Sequence, residues 1–209
     1  MNNKKPLIGI ITRSSISSQG NPIKIIYQDI ESSIIKSGGI PLGISNESFK
    51  YYLPICDGYI LEGGDTLDKN NYPIIKYLHK NNIPLLGICL GMQEIALVFN
   101  SHEINIPNHK NTTHKIHLFE NTTLYKIIKS HHIEVNSRHN TNITPPSLTI
   151  SAISNDNCIE AIEDPSKSFF IGLQFHPENI YADNPSAKLI FDYFIKICQN
   201  YKYNKNSKR

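Results

Sequence analysis

The apolar positions of the chain fall into two alternating kinds of segment. Short unbroken apolar runs rich in β-branched residues are typical of strands buried on both faces of a sheet. The segments between them place apolar residues at helical spacing. This pattern predicts strands over 6–11, 40–44, 58–61 and 83–88, and helices over 25–36, 72–80 and 90–99. Strands that alternate with helices predict an α/β fold, with a doubly wound, mostly parallel sheet and helices on both faces.

The second half of the chain has a weaker pattern. Residues 100–147 are rich in His, Asn and Thr, and without strong periodicity they predict short strands and loops. Three further strands and a closing helix are predicted over 148–153, 158–162, 169–175 and 186–199. We interpret these three strands as a small antiparallel extension of the sheet.

The charge of the chain is concentrated at its end. The formal net charge is +3, but the last ten residues hold four basic side chains and no acid, so residues 1–199 sum to 17 − 18 = −1. A nucleic-acid-binding protein usually gathers positive charge on one face, so we expect no nucleic-acid partner. No internal repeat or linker divides the chain. We therefore expect one domain over 1–199, followed by a basic flexible tail over 200–209.

The cysteines and the lengths of the apolar runs indicate the cellular compartment of the protein. Four cysteines lie far apart without a Cys-x-x-Cys pair, which favours reduced thiols in a reducing compartment. The run Leu7 to Ile11 is too short for the core of a signal peptide. Every other apolar stretch falls far below the roughly 20 residues that span a bilayer. We expect a cytoplasmic protein without a membrane partner.

One thiol lies in a position that suits a nucleophile. Cys89 falls between a predicted buried strand and a predicted helix, and Gly87 and Gly91 flank it closely. The N-terminus of a helix offers unpaired N–H groups and the positive end of the dipole, which can lower the pKa of a thiol below its free value of about 8.5. The same turn would aim the Leu90 N–H at the space where an oxyanion forms. A buried structural cysteine fits this pattern equally well.

A second motif supplies a base and a carboxylate. In the segment Gln-Phe-His-Pro-Glu, Pro177 favours extended geometry at His176, and residues two apart in an extended chain project to the same side. His176 and Glu178 would then lie side by side. An imidazole oriented by a carboxylate is what a nucleophilic thiol needs. A surface turn with an uninvolved His and Glu is the alternative.

Taken together, the two motifs resemble those of a known family. Gly-Ile-Cys-Leu-Gly-Met-Gln at 87–93 and Gln-Phe-His-Pro-Glu at 174–178 are similar to the paired signatures of the class I glutamine amidotransferase superfamily, in order and in separation. The resemblance extends to about residue 198. It implies a flavodoxin-like sheet, a catalytic triad of Cys89, His176 and Glu178, and a glutamyl thioester that water resolves. It implies no cofactor.

The resemblance also implies an oxyanion hole and substrate contacts. The loop Glu-Gly-Gly-Asp at 62–65 is similar to the oxyanion loop of the family, so the Gly64 N–H would join that of Leu90. Substrate contacts are implied for the residues that match the family's binding segments, although a solvent-facing Gln93 or an exposed, uninvolved Arg138 stays an alternative. These residues are Gly63, Gln93, Asn136, Ser137, Arg138 and His139.

The branch of the superfamily is less clear than the superfamily. The segments at 38–41, 63–65 and 135–139 resemble those of γ-glutamyl hydrolases, including the γ-glutamyl-γ-aminobutyrate hydrolases, which implies a hydrolase of a small γ-glutamyl metabolite that works alone. Leu90 departs from that branch, which often has Arg there, and resembles ammonia-donating glutaminases. A glutaminase subunit with a separate synthase partner therefore stays open, as do a catalytically silent binding protein on the same fold, a nucleotide-linked substrate and a homodimer.

The histidines between residues 100 and 140 do not form a recognised set of metal ligands. Their spacing matches no known motif and no helix brings four of them together. We therefore expect solvated or singly hydrogen-bonded side chains and no metal site, with His114 and His139 as candidates to line the pocket. The histidines are His102, His109, His114, His117, His131, His132 and His139.

Overall fold

The computed structural model describes residues 4–106 and 109–207. Its strands are β1 Leu7–Ile11, β2 Arg13–Ile16, β3 Pro22–Ile25, β4 Ile40–Ile44, β5 Gly58–Leu61, β6 Leu85–Ile88, β7 Glu103–Asn105, β8 Lys110–Leu118, β9 His132–Arg138, β10 Thr141–Ile143, β11 Thr149–Ser154, β12 Ile159–Glu163 and β13 Phe170–Leu173. Its α-helices are α1 Gln28–Lys36, α2 Phe49–Tyr52, α3 Asn71–Lys80, α4 Leu90–Val98, α5 Thr123–Ile128 and α6 Pro185–Ser207.

One mixed sheet of nine strands forms the centre of the described structure, in the order β4-β1-β5-β6-β13-β12-β11-β8-β9. Neighbouring strands are parallel from β4 to β13 and antiparallel from β13 to β9. The predicted α/β fold is confirmed. Its antiparallel extension comprises four strands, β12, β11, β8 and β9, whereas β13, which the sequence analysis placed in that extension, is the parallel neighbour of β6. Because β6 and β13 are parallel neighbours with Leu173 opposite Ile88, the chain leaves both strands at the same edge. That edge brings Cys89 close to the segment that follows Leu173.

Helices cover both faces of the sheet because its central strands are apolar on both sides. In β1, Ile8 and Ile10 join a core that also contains side chains of α1, α5 and α6. Ile11 of the same strand joins a second core, with side chains of α3 and α4. Burial of alternate side chains on opposite faces is the expected geometry of a strand between two layers.

Two regions differ from the predicted elements. The predicted helix over 25–36 begins later, at Gln28, because Pro22–Ile25 pairs with Arg13–Ile16 in an antiparallel hairpin. Residues 100–147 are more regular than predicted, since β8 and β9 form a long antiparallel pair and α5 lies between them. The polar side chains of β8 hid the strand, because its exposed face removes the apolar run on which the prediction depends.

The end of the chain also differs from the predicted flexible tail. Residues 200–207 continue α6. Lys205 Nζ lies 2.7 Å from Asp57 Oδ1, and Lys202 Nζ lies 3.4 Å from Asp57 Oδ2. Because the Asp57 carboxylate is buried, it needs such cations, and the helix continues to supply them. Residues 208–209 lie outside the described residues.

An α-helix needs about 20 mostly apolar residues to cross a bilayer. Within the described ranges, no helix is both long enough and apolar enough to cross one.

Candidate active site

Cys89 occupies a strained turn between β6 and α4. Its backbone has φ 51° and ψ −107°, a conformation that costs a non-glycine residue on the order of 1–3 kcal/mol. The turn is held on both sides: the Cys89 N–H donates to the Leu173 carbonyl at 2.7 Å, and the Gln93 N–H donates to the Cys89 carbonyl at 3.1 Å. The strain presents the thiol at the start of the helix, as the sequence predicts.

The glycines on either side of Cys89 are needed for close packing. A Cβ at Gly91 would overlap the Leu61 carbonyl of the neighbouring strand, and a Cβ at Gly87 would lie 2.6 Å from Ile95 Cδ1. Both contacts are closer than a Cβ atom tolerates. The first turn of α4 therefore lies directly against β5 and β6, which fixes the position of the thiol.

His176 and Glu178 meet, but not in the way that the sequence suggests. His176 Nδ1 lies 2.7 Å from Glu178 Oε1. The chain is not extended across this pair, because Pro177–Ile180 forms a 3₁₀ turn with proline in its first positions. The extended-strand argument was therefore wrong, although the contact that it predicts is present. The His176 N–H also donates to Asn136 Oδ1 at 3.0 Å, which fixes the backbone at the imidazole.

Cys89 and His176 face each other across one cleft. A Cβ placed on Gly63 would lie 3.0 Å from His176 Cε1 and 3.6 Å from Cys89 Cβ, so Gly63 lies between the two side chains and leaves room for them. Burial by itself would lower the pKa of His176, but hydrogen bonds to Cys89 and Glu178 outweigh it and raise the pKa to about 10. A protonated imidazole beside a thiol favours the nucleophilic thiolate.

The predicted oxyanion loop is held from behind by Arg13. Its guanidinium donates to the carbonyls of Glu62 and Gly63 and lies 2.7 Å from Glu94 Oε1 in a buried ion pair. Among the described residues, the N–H groups of Gly64 and Leu90 have no acceptor. Both residues line the cleft together with Cys89, and unpaired N–H donors are what an oxyanion requires.

The cleft has two sides that meet at Cys89. The His176 side has a volume of about 520 Å³ and is lined by Tyr27, Gln28, Asp29, Gly63, His176 and Asn179, among others. The His139 side has a volume of about 470 Å³ and is lined by Leu90, Gln93, Glu103, His139, Asn140 and Thr141, among others. Gly64, Asp65, Cys89, Lys110 and Arg138 line both sides. Cations and carboxylates are therefore mixed around the thiol.

The structure brings only part of the predicted substrate-binding set to the cleft. Gly63, Gln93, Arg138 and His139 line it. The Gln93 amide is directed by hydrogen bonds to the Gln174 amide oxygen at 3.1 Å and the Thr141 carbonyl at 3.3 Å. For His139, burial is the main cause that lowers the pKa, to about 4, so the side chain is neutral.

Asn136 and Ser137 do not line the cleft, in contrast to the prediction. Asn136 accepts the His176 N–H, and Ser137 is buried and donates to the His109 carbonyl. The two residues alternate in β9, so one supports the triad and the other supports the segment before β8. They are positioning residues rather than substrate contacts in this geometry.

Two residues that contact the site had no role in the sequence analysis. Arg13 begins β2 directly after the first buried strand, at the carboxyl edge where sites of parallel sheets form, and this position could have drawn attention to it. Gln174 directs its amide at Cys89, with Nε2 3.7 Å from Sγ. Gln174 belongs to the motif 174–178, but no spacing rule links it to the thiol.

The chain is similar to known proteins over most of its length. The family model described as glutamine amidotransferase class-I matches residues 32–197. The chain is 32% identical to one of the subunits of the glutamine-hydrolysing GMP synthase of Methanosphaera stadtmanae, over 84% of this chain and 89% of that protein. It is 23% identical to the gamma-glutamyl-gamma-aminobutyrate hydrolase PuuD of Escherichia coli, over 96% of each.

A solved structure shows the same fold. The glutaminase domain of CTPS from Trypanosoma brucei, with bound acivicin, matches with a TM-score of 0.72 at 20% identity, over 91% of this chain and 94% of that chain. The family model spans β4 to β13 and most of α6, and therefore includes every strand that positions Cys89 and His176. The chain belongs to the class I glutamine amidotransferase family.

Proposed function

We propose that the protein is a cysteine hydrolase that cleaves the γ-glutamyl amide bond of a small γ-glutamyl metabolite. The observation that carries this proposal is the arrangement of Cys89, His176 and Glu178 around one cleft, with the imidazole hydrogen-bonded to the carboxylate at 2.7 Å. A nucleophile, a base and an orienting carboxylate are the groups that acyl transfer through a covalent intermediate requires.

The first half of the reaction forms a thioester. The Cys89 sulfur attacks the γ-carbonyl carbon, and the carbonyl oxygen becomes an oxyanion that accepts hydrogen bonds from the Gly64 and Leu90 N–H groups. His176 gives its proton to the departing nitrogen as the C–N bond breaks. The products are a γ-glutamyl thioester and a free amine.

The second half of the reaction restores the enzyme. Water gives a proton to His176 while its oxygen adds to the thioester carbonyl, and the C–S bond then breaks. Glutamate leaves, and the Cys89 thiolate and the protonated His176 are restored. The Glu178 carboxylate stabilises the imidazole of His176 in each step in which that imidazole is protonated. The chemistry uses only side chains of this chain and water.

The two sides of the cleft suggest how the substrate is divided. The His139 side suits the glutamyl group, because Glu103, which lines only that side, can pair with an α-ammonium group. Arg138, which lines both sides, can then pair with the α-carboxylate. The leaving amine then occupies the His176 side. Its volume of about 520 Å³ is larger than ammonia needs and falls within the range of small-molecule sites, which favours an organic amine.

A glutaminase subunit that donates ammonia to a separate synthase is the second candidate. Leu90 follows the nucleophile as it does in many ammonia-donating glutaminases. The relative that is 32% identical belongs to a glutamine-hydrolysing synthase made of subunits. The chemistry at Cys89 would be the same, and only the leaving amine and the need for a partner would differ.

A substrate panel tests the proposal. The purified protein is incubated with glutamine and with a series of γ-glutamyl amines, and glutamate release is measured against a Cys89→Ala blank. The proposal predicts that at least one γ-glutamyl amine is hydrolysed faster than glutamine. Activity on glutamine that rises only when cell extract is added would favour the second candidate. Failure to release glutamate from any substrate would overturn both and favour a binding protein.

A further inference from the structure

A second group of histidines lies behind the His139 side of the cleft and takes no part in the proposed reaction. It consists of His109, His114 and His139 around the fully buried carboxylate of Glu160, and we call it the His-Glu cluster. The side-chain nitrogens lie 4.0 Å, 3.0 Å and 3.8 Å from Glu160 Oε1, in that order. The sequence analysis expected solvated histidines, but His109 and His139 are each only 5% exposed.

Three polar atoms of the His-Glu cluster are buried without a hydrogen-bond partner among the described residues. They are His109 Nδ1, His139 Nε2 and Glu160 Oε2. A buried polar atom without a partner costs about 1–3 kcal/mol. Three such atoms on side chains that face one another indicate that something binds between them.

The outer hydrogen bonds of the two buried histidines determine which atoms point inward. His109 Nε2 lies 2.7 Å from Asp156 Oδ2, and His139 Nδ1 lies 3.0 Å from the Thr141 carbonyl. Because both partners are acceptors, each of these nitrogens carries the hydrogen, and in the neutral ring the opposite nitrogen carries a lone pair. Metal-bound histidines are typically held in this way, by an outer carboxylate or carbonyl.

The inward atoms have the chemistry of metal ligands. His114 Nε2 donates to Glu160 Oε1 at 3.0 Å, but the lone pairs on His109 Nδ1 and His139 Nε2 face the same carboxylate and repel it. A proton on Glu160 could satisfy one of the two nitrogens, whereas a cation would satisfy both. The ligand atoms of His109, His114 and Glu160 lie within 4.8 Å of one another. Ligands about 2.1 Å from a tetrahedral zinc ion are about 3.4 Å apart, so these three atoms would move slightly closer on binding. His139 Nε2 lies 3.8 Å from Glu160 Oε1 but outside that group of three, so its ring would have to shift to become the fourth ligand.

We infer that the His-Glu cluster is a binding site for one divalent transition-metal ion, Zn²⁺ by its ligand types. His109 Nδ1, His114 Nε2, His139 Nε2 and the Glu160 carboxylate are the ligands. Three imidazoles and one carboxylate suit zinc better than Mg²⁺ or Ca²⁺, which prefer oxygen ligands. Asp156 and the Thr141 carbonyl orient the rings from outside.

A second arrangement of ligands around His109 is less favourable. His109 Nε2, Asp156 and Cys158 also lie within 4.8 Å of one another. The Asp156 side chain is 60% exposed, however, whereas Glu160 is fully buried. This arrangement would also leave His139 Nε2 and Glu160 Oε2 without partners.

The position of the ion gives it a structural role at the cleft. It would join the start of β8, the strand β12 and the turn after β9. These segments are far apart in the chain, and two of them carry Lys110 and Arg138, which line the cleft. The Glu160 carbonyl also accepts the N–H of Gln174, whose side chain contacts Cys89. The ion would therefore stabilise the wall of the pocket without touching the thiol.

Metal binding by the full chain tests the inference. Protein treated with chelator is titrated with Zn²⁺ in a calorimeter and, separately, with Co²⁺ followed by visible absorption. We expect one ion per chain, the strong visible bands of four-coordinate Co²⁺, and a higher unfolding temperature with the ion bound. The absence of saturable binding of either ion would overturn the inference.

Matched variants locate the site. His114→Ala and Glu160→Gln should each weaken zinc binding more than about 100-fold, since loss of an outer partner alone typically costs 10- to 100-fold. His117→Ala removes a half-buried histidine from the same strand and should leave affinity unchanged. Cys158→Ser should also leave it unchanged. Loss of binding in Cys158→Ser, or full affinity in both His114→Ala and Glu160→Gln, would overturn the assignment of ligands.

The Co²⁺ spectrum of the wild type identifies the ligand types without any variant, so the test stands even if a variant fails to fold. Nitrogen and oxygen ligands give no thiolate charge-transfer band in the near ultraviolet, whereas coordination by Cys158 would give one. A spectrum without that band supports the His-Glu cluster. A spectrum with it contradicts the assignment, whatever the variants show. The readout is independent of enzymatic activity, so it stands even if the proposed hydrolase reaction is wrong.

Discussion

Two histidine–carboxylate groups lie on opposite sides of Gln174, and they differ in their balance of charge. At the catalytic corner, one imidazole meets one carboxylate at 2.7 Å, and its pKa is raised to about 10, so the two charges match. In the His-Glu cluster, three imidazoles share one carboxylate at 3.0–4.0 Å. Three of its buried atoms lack partners among the described residues, compared with one, Glu178 Oε2, at the catalytic corner. The first group can act by itself, whereas the second requires a bound ion.

The strongest test of this difference is removal of the thiol. Cys89→Ala should lower kcat for the preferred γ-glutamyl substrate by at least about 10⁴-fold, because a triad without its nucleophile retains little covalent catalysis. Zinc affinity should not change, since Cys89 lies outside the His-Glu cluster. Both quantities are measured on one preparation. Cys56→Ala, which removes another buried thiol, serves as the control and should keep its activity. Residual turnover near the wild-type rate would contradict the assignment.

The next largest effect is expected at Arg13. Arg13→Ala leaves Glu94 buried without its cation, which should cost about 3–5 kcal/mol of unfolding free energy. The substitution also removes the hydrogen bonds that hold the carbonyls of Glu62 and Gly63. The oxyanion loop would then be less well positioned, so kcat should fall. Denaturant unfolding and steady-state kinetics measure the two effects.

A double variant separates stability from catalysis at Arg13. In Arg13→Met/Glu94→Leu neither charge of the buried pair remains, so part of the lost stability should return. The return is incomplete because Asn71 Nδ2 and the Asp68 N–H lose Glu94 as their acceptor. The loop carbonyls still lack the guanidinium, and kcat should stay low. Recovery of full activity in the double variant would show that Arg13 acts only through stability.

The pH profile reports on the imidazole itself. With a pKa near 10, His176 stays protonated through neutral pH, and kcat/KM should fall on the alkaline side near that value. Glu178→Gln removes the opposite charge, so the alkaline limb should move to lower pH by about 1–3 units. An unchanged limb would mean that another group controls the profile.

The same variant has a predicted effect on stability. Because the folded pKa of His176 lies above its unfolded value of 6.5, the pair contributes fully below pH 6.5, and its contribution is lost as pH rises to about 10. The difference in unfolding free energy between wild type and Glu178→Gln should therefore be largest below pH 6.5. Denaturant unfolding at several pH values measures it.

The smallest effect is expected at Asn136. Asn136→Ala removes the acceptor of the His176 N–H and should lower kcat about 10-fold with little change in KM, as expected for one lost hydrogen bond. A substrate-binding residue, as the sequence analysis proposed, would instead raise KM. Asn136→Asp restores an acceptor oxygen and should recover most of kcat. Steady-state kinetics on both variants decides between the two roles.

The two groups also differ in how far the sequence predicts them. Cys89, His176 and Glu178 lie in two compact motifs, and the ends of two parallel neighbouring strands bring these motifs together. The parallel half of the sheet could be predicted for a similar reason, since its strands are apolar runs that are buried on both faces. Even there, the extended geometry predicted for His176 and Glu178 was wrong, because the turn at Pro177 is 3₁₀.

The His-Glu cluster could not be predicted, because its residues share no spacing. His114 and Glu160 are 46 residues apart and meet only because β8 and β12 both pair with β11. The polar face of β8 hides the strand itself. The ion pairs of Arg13 and Asp57 could not be predicted for the same reason, because their partners, Glu94 and Lys205, lie on helices far away in the sequence.

The central claim is that Cys89 carries the glutamyl group during turnover. The protein is mixed with a γ-glutamyl amide, the reaction is stopped with acid while substrate is still in excess, and the intact mass and the labelled peptide are determined. We predict a mass increase of one glutamyl group on the peptide that contains Cys89, and none on Cys89→Ala. Steady turnover without that adduct, together with an active Cys89→Ala variant, would contradict the account.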